Sequence, residues 1–335
     1  MQLEEDRIIS AIKQTIGEDI VGLLEDDSVI EIMRNANGSL CVERLGQNIE
    51  ESRIRLNDRA TESLIRFLAS IVNETCNGKA PSLAVKLPYW HARFQGLLPP
   101  VVSAPSFSIR KHSKHVFELE HYLSNGELSQ EQFRCLMDAI SERKNIIISG
   151  GTGSGKTTLA NAILQKMANT KDRIITVEDT PELRLVTKTG QQIFTKGTIG
   201  YGSQQALRDI LRLRPDRIVL GELRDGSCLD LIKAWNTGHS GGFTTIHANS
   251  CELAMQRIES LISEVSVTIP RELIAQTVNV VVQIKRQGPK RVVSEIKRVC
   301  GLRGEKYLFT HIRGEYDKHK AVHCVNGDGN IIHLS

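Results

Sequence analysis

The run from Ser149 to Thr158, Ser-Gly-Gly-Thr-Gly-Ser-Gly-Lys-Thr-Thr, constrains this chain more than any other segment. From Gly150 to Thr157 it spells G-x-x-x-x-G-K-T, with four glycines that let a backbone wrap an anion with its N–H groups inward. Lys156 is placed to reach the β- and γ-phosphates of a nucleotide, and the Thr157 hydroxyl to ligate Mg²⁺. The local pattern supplies the required context. The apolar run Ile146–Ile148 reads as a strand before the loop, and Leu159, Ile163, Leu164 and Met167 mark a helix after it. A helix starting there points its positive end at the same anion. The expected nucleotide-binding set is Gly151, Thr152, Gly153, Ser154, Gly155, Lys156, Thr157 and Thr158, with ATP and Mg²⁺ as ligands. The alternative is a glycine-rich turn that binds nothing. The strand before and the helix after weigh against it.

Beyond the loop, short apolar strands alternate with helices. Strand candidates are 145–149, 173–177, 217–220 and 242–247, an order that predicts a parallel, three-layer α/β domain. Open α/β sheets build their sites at the carboxyl ends of their strands. Glu222 follows Ile218–Leu220 and Gly221, Glu178 and Asp179 follow Ile174–Val177, and His247 follows Phe243–Ile246. Three polar clusters at three strand ends beside a phosphate loop converge on one crevice. Phosphoryl transfer to water needs a carboxylate to orient the water, and Glu222 and Glu178 both qualify. Glu178 is also a candidate metal ligand alongside Thr157. Asp216 precedes its strand and, next to Pro215, reads as a turn residue. After about residue 278 the text turns to strands (278–284, 291–299, 306–312 and 321–325), a strand-rich extension of the same domain.

The first hundred residues read as a smaller α+β domain. Asn37-Gly38 lies between apolar-rich runs and predicts a hairpin with a type I′ turn. Leu64, Phe67, Leu68, Ile71 and Val72 fall on one helical face, and 93–98 and 107–111 read as strands. Residues 112–127, with His, Ser, Asn and Gly, read as a linker. Ser129 and Gln132 then form a capping box, with Leu128 and Phe133 placed as its hydrophobic staple. The expected organisation is therefore an α+β domain over 1–111, a linker over 112–127 and an ATPase domain over 128–335.

Composition narrows the class. Of 335 residues, 40% are apolar and 24% charged, enough for buried cores and outside the disordered range. No apolar run approaches the roughly 18 residues that span a bilayer. The acidic start MQLEEDRIIS lacks the order of a secretory signal. Both predict a cytoplasmic chain, at most peripheral on a membrane. The seven cysteines are scattered without a CxxC pair, which argues against a zinc or dithiol site. Residues 1–60 carry 13 acidic and 7 basic side chains, whereas 285–335 carry 11 basic and 5 acidic. That asymmetry fits either complementary assembly surfaces or two differently solvated faces.

Three further segments resemble the type II and type IV secretion ATPases, or traffic ATPases. Ile174-Ile-Thr-Val-Glu-Asp-Thr-Pro-Glu182 is similar to their acidic box, 207–225 to their Walker B region, and Gly238-His-Ser-Gly-Gly-Phe-Thr-Thr-Ile-His-Ala-Asn249 to their histidine box. The stretch 231–239 and the early segment 29–46 look most like TrbB-type conjugal-transfer ATPases. The resemblance implies a RecA-like P-loop NTPase domain with a mainly parallel sheet, and a ring-shaped cytoplasmic motor, a hexamer of identical chains. That motor would hydrolyse ATP to drive conjugative DNA transfer or type IV secretion. It implies partners among the other conjugation or secretion components at the inner membrane, and requires no direct DNA binding. Residue by residue, it gives His247 a γ-phosphate-sensing role. It places Arg93 and Arg110 of the first domain against the nucleotide and makes Arg208 a further candidate. His91-Ala92 stands where the family pattern has an acidic residue, and Ser240 where the conjugation branch often has proline. Two alternatives stay open: a type II secretion or pilus motor, although type II secretion members often carry a paired-CxxC module absent here, and a DNA-stimulated P-loop motor using basic stretches such as 285–291.

Overall fold

A computed structural model describes residues 2–87, 90, 92–111 and 117–312, together with the two-residue strands at 324–325 and 331–332. The chain divides into two compact units, Met1–His115 and Val116–Ser335.

The first unit contains helices α1 (Gln2–Ile16), α2 (Glu18–Glu25) and α3 (Asp58–Ile71) and strands β1 (Val29–Arg34), β2 (Ser39–Arg44), β3 (Ile49–Arg55), β4 (Ser82–Leu87), β5 (Ala92–Leu97) and β6 (Ser106–Lys111). The strands form one antiparallel sheet in the order β3-β2-β1-β6-β5-β4. Alternation sets its faces. Ile32, Val42, Phe94 and Ile109 are buried with Leu64, Ile65 and Leu68 of α3, while Lys86, Arg93 and Arg110 alternate with them onto the other face. Asn37-Gly38 does join β1 and β2, but only Gly38 is left-handed, at φ 85°. The turn is thus not type I′. Gly38 N–H donates to Asn35 O, and the Asn37 side chain accepts from Ser39 N–H at 3.0 Å, so one positive φ suffices. Asn57 caps α3 by accepting from Ala60 N–H at 2.8 Å.

The second unit runs α4 (Leu119–Ser124), α5 (Gln130–Ser141), β7 (Ile146–Ser149), α6 (Lys156–Ala168), β8 (Ile174–Glu178), β9 (Gln191–Phe194), a 3₁₀ turn (Gly197–Ile199), α7 (Ser203–Ile210), β10 (Arg217–Glu222), α8 (Ser227–Asn236), β11 (Phe243–Ile246), α9 (Cys251–Ser263), α10 (Arg271–Thr277), β12 (Val280–Gln287), β13 (Lys290–Arg303), β14 (Lys306–Ile312), β15 (Cys324–Val325) and β16 (Ile331–Ile332). The sheet order is β16-β15-β14-β13-β12-β7-β11-β10-β8-β9. Strands β12 through β9 of that order pair in parallel. Its parallel part is covered on both faces, so its strands are nearly continuous apolar runs. In β7, Ile147 packs toward α7–α10, whereas Ile146 and Ile148 pack toward α4–α6. Each such buried isoleucine stabilises by about 1.5–3 kcal/mol relative to exposure.

Two further expectations change. The sheet is mixed rather than mainly parallel: the two-residue connection Gly288-Pro289 is too short for a crossover, so β13 returns antiparallel on β12, and β14 to β16 continue in that sense. Of the expected linker, 112–116 lie outside the described residues, while 119–124 form α4. Leu119 and Tyr122, three apart, are buried in the core of the second unit. That helix is too short to show a periodic stripe. Strand β9 escaped sequence reading because Gln191–Phe194 is an edge strand of largely exposed residues. Of the candidate strand 321–325, residues 321–323 lie outside the described residues. The capping box of Ser129 and Gln132 is formed, and Gln132 Nε2 also donates to Val293 O at 3.1 Å, tying α5 to β13.

Candidate active site

Because β7, β8, β10 and β11 run parallel, their carboxyl ends share one edge of the sheet, and in the order β7-β11-β10-β8 each delivers one polar group there. After β7 the chain makes the glycine loop. Gly155 is the N-cap of α6 at φ 95°, a left-handed conformation that side chains avoid. At Gly150 a β-carbon would stand 2.4 Å from both Ile284 O and Ser154 Oγ, so no other residue fits. Gly151, Thr152 and Gly153 complete the turn, and Thr157 and Thr158 sit in the first turn of α6. Ser154 Oγ is buried with no hydrogen-bond partner among the described residues, the condition of a polar atom awaiting a ligand.

Lys156 is buried, and its ammonium donates to Gly150 O at 3.0 Å and Gly151 O at 2.9 Å. It also lies 3.3 Å from His247 Nδ1. An ammonium can only donate, so Nδ1 is the acceptor and the ring proton sits on Nε2. Nε2 in turn faces Glu222 Oε1 at 3.0 Å. Burial, followed by the charge of Lys156, holds the His247 pKa below its ordinary value, which favours this neutral form. The other carboxylate oxygen of Glu222 accepts from Arg224 Nε at 2.7 Å, and Arg224 Nη1 donates to Asp179 Oδ2 at 2.7 Å. A continuous polar chain thus runs from Lys156 through His247, Glu222 and Arg224 to Asp179, crossing the ends of β7, β11, β10 and β8.

Glu178 stands beside Gly221 at the same strand ends but turns to the loop that follows β8. Its Oε1 accepts from the backbone N–H of Glu182 at 3.0 Å and of Leu183 at 2.8 Å, and burial raises its pKa to about 7. It therefore anchors the loop that follows β8. The carboxylate that reaches the first turn of α6 is Glu182, whose Oε2 accepts from Thr157 Oγ1 at 3.2 Å. Asn161 holds the same loop by donating to Glu182 O at 3.0 Å and accepting from Arg184 N–H at 2.7 Å. Thr157 and Glu182 form an oxygen pair suited to a hard divalent cation beside the phosphate loop. The contact of Glu182 with Thr157, and the places of Arg224 and Asn161, were missed by sequence reading. Arg224 stands two residues past Glu222, where charge of the right sign was visible, but Glu182 reaches Thr157 only because the loop folds back.

Asp216 accepts from Arg173 N–H at 2.7 Å at the opening of its strand, as a turn residue does. Arg208 stands exposed on α7, outside the polar chain. In the first unit, Arg93 on β5 and Arg110 on β6 are direct cross-strand partners, flanked in the same row by Lys86 on β4 and Glu31 on β1.

A profile described as "Type II/IV secretion system protein" matches residues 18–324. The chain is 38% identical over 318 residues to the conjugal transfer protein TrbB of Rhizobium radiobacter, covering 94% of this chain and 98% of that one. It is 32% identical over 338 residues to the type IV secretion system protein VirB11 of Bartonella quintana, covering 85% and 92%. Its fold is similar to the X-ray structure of the ATPase DotB of Legionella pneumophila, with a TM-score of 0.61 at 19% identity over 82% of this chain and 78% of that one. The pilus retraction motor PilT gives 0.57 at 19% identity, covering 88% and 81%.

Proposed function

The chain belongs to the type II/IV secretion system protein family, and we propose that it is the ATP-hydrolysing motor of a conjugal-transfer or type IV secretion apparatus. The observation that carries the chemistry is the path Lys156–His247–Glu222, at 3.3 and 3.0 Å. Full-length similarity to a conjugal transfer protein favours that setting over a pilus motor, since likeness to PilT at 19% identity concerns the fold alone.

We read the second unit as RecA-like. The loop N–H groups and Lys156 bind the β- and γ-phosphates. Glu222 orients a water against the γ-phosphorus and takes its proton as the bond to the β-phosphate breaks. His247, neutral, links Glu222 to Lys156 and so couples the water-orienting acid to the occupancy of the phosphate site. Thr157 with Glu182 would hold Mg²⁺, which would supply positive charge against the phosphate oxygens. Glu178 fixes the loop that presents Glu182. Arg93 and Arg110 add positive charge on the nucleotide from the first unit. No helix of the described residues is long and apolar enough to cross a membrane. The working form is a closed ring of identical chains, six by family resemblance, with other apparatus components as partners and peripheral contact with the inner membrane.

Phosphate release with and without Mg²⁺, together with light scattering in the presence of a non-hydrolysable ATP analogue, tests this reading. Mg²⁺-dependent release and a ring-sized particle are expected. Absence of hydrolysis in both conditions contradicts it, and DNA stimulation that falls with salt would favour a nucleic-acid motor instead.

A further inference from the structure

The γ-phosphate chemistry occupies one side of the glycine loop. Lys156 and its partners His247, Glu222, Arg224 and Asp179 extend over β11, β10 and β8. The other neighbour of β7 is β12, which turns through Gly288-Pro289 into β13. That hairpin brings Arg291 against the loop. Its Cγ, Cβ and Cδ stand 3.2, 3.4 and 3.5 Å from where a β-carbon on Gly155 would be. Gly155 is the last residue before α6, so the stem of Arg291 lies across the point where the loop becomes helix.

The backbone sets this placement. Glu127 Oε1 accepts from Arg291 N–H at 3.2 Å, Glu127 O accepts from Val293 N–H at 2.8 Å, and Lys290 Nζ donates to Asn125 O at 3.1 Å. The hairpin is thus stapled to the turn between α4 and α5. Arg291 Nη1 donates to Pro289 O at 2.9 Å, which holds the guanidinium at the end of its own hairpin.

A nucleotide with its γ-phosphate on the His247 side of the loop would extend past Gly155 and the first turn of α6, where the stem of Arg291 lies. Resting on the ATP-binding reading above, we infer that Arg291 is the nucleoside-side contact of the site, its guanidinium lying flat against the base of the bound nucleotide. Guanidinium is planar, weakly hydrated and stacks on aromatic faces, which an ammonium does poorly. The chain has few aromatic rings of its own, 4% of residues, so an arginine takes the stacking part.

Calorimetric titration of the full chain with Mg·ADP and with Mg·tripolyphosphate tests this. Tripolyphosphate supplies phosphates without a nucleoside. Arg291→Met keeps the apolar stem on Gly155 and removes the flat cation. It should weaken ADP binding about tenfold and leave tripolyphosphate within about twofold. Arg291→Lys keeps stem and charge and should lose ADP affinity nearly as much. An unchanged ADP affinity in Arg291→Met, equal losses for both ligands, or full recovery with lysine each overturns the inference. If the Met variant does not fold, the Lys variant decides alone. A parent chain that binds neither ligand would instead remove the ATP-binding reading itself.

Discussion

His247 Nε2 lies 3.0 Å from Glu222 Oε1, and this contact joins the ends of β11 and β10 above the phosphate loop. It places a neutral imidazole between the Glu222 carboxylate and the ammonium of Lys156. Neither partner can shift without disturbing the other.

His247→Ala cuts that path while leaving the glycine loop in place. Turnover at saturating ATP should fall about tenfold or more, with ATP affinity kept within a few-fold. The pH dependence follows from the direction of its shift. The folded pKa lies below 6.5, so the ring is neutral at pH 7 and charges only as pH falls through that lower value. Protonated Nδ1 can no longer accept from Lys156. The parent rate should therefore decline on that acid limb, and the limb should be missing from a pH profile of the alanine variant.

Lys156→Ala removes the cation held at Gly150 O and Gly151 O. Turnover should drop below detection while the circular dichroism spectrum and thermal midpoint remain those of the parent. A folded variant that hydrolyses ATP at the parent rate would remove the phosphate-loop assignment.

Arg224 bridges Glu222 and Asp179, and its guanidinium is half-exposed. Exposed ion pairs contribute about 0–1 kcal/mol, so Arg224→Ala should barely move the thermal midpoint. It should nevertheless slow hydrolysis several-fold, because Glu222 loses the partner that fixes one oxygen. A large loss of stability with an unaltered rate would make the residue a structural clamp only.

Glu178 carries a stability signature. Its pKa rises from 4.5 to about 7 on folding, so the folded chain holds that proton more tightly. The associated stability, about 3 kcal/mol, is fully present below pH 4.5 and is lost as pH rises through 7. Between pH 5 and 8 the difference in unfolding free energy between parent and Glu178→Gln should change by an amount of that order, with the parent losing stability as pH increases. Parallel profiles would show that Glu178 stays charged throughout.

Much of this site could be read from the residues. The acid and the histidine at 222 and 247 were legible because buried parallel strands are unbroken apolar runs, and the first polar groups after them must emerge at the sheet edge. Glu178 obeyed the same rule yet turned inward onto the backbone of Glu182 and Leu183, and strand position alone does not fix a rotamer. Glu182 and Arg291 reach the loop through chain reversals, a return loop and a hairpin, that leave no periodic trace. The antiparallel half of the sheet was visible as strands, but its direction depended on the length of one turn at Gly288-Pro289. Helix α4 was hidden by brevity, with its two apolar residues three apart in a polar stretch.

The most direct test of the account is Glu222→Gln, which keeps shape and removes the charge. Equilibrium binding of a fluorescent ATP analogue and single-turnover hydrolysis should be measured on the same preparation. Affinity should be retained, and the hydrolysis rate should fall about 10²-fold or more. A variant that cleaves ATP at the parent rate, or that loses binding and rate in equal measure, would contradict the assignment of Glu222 as the acid that orients the attacking water.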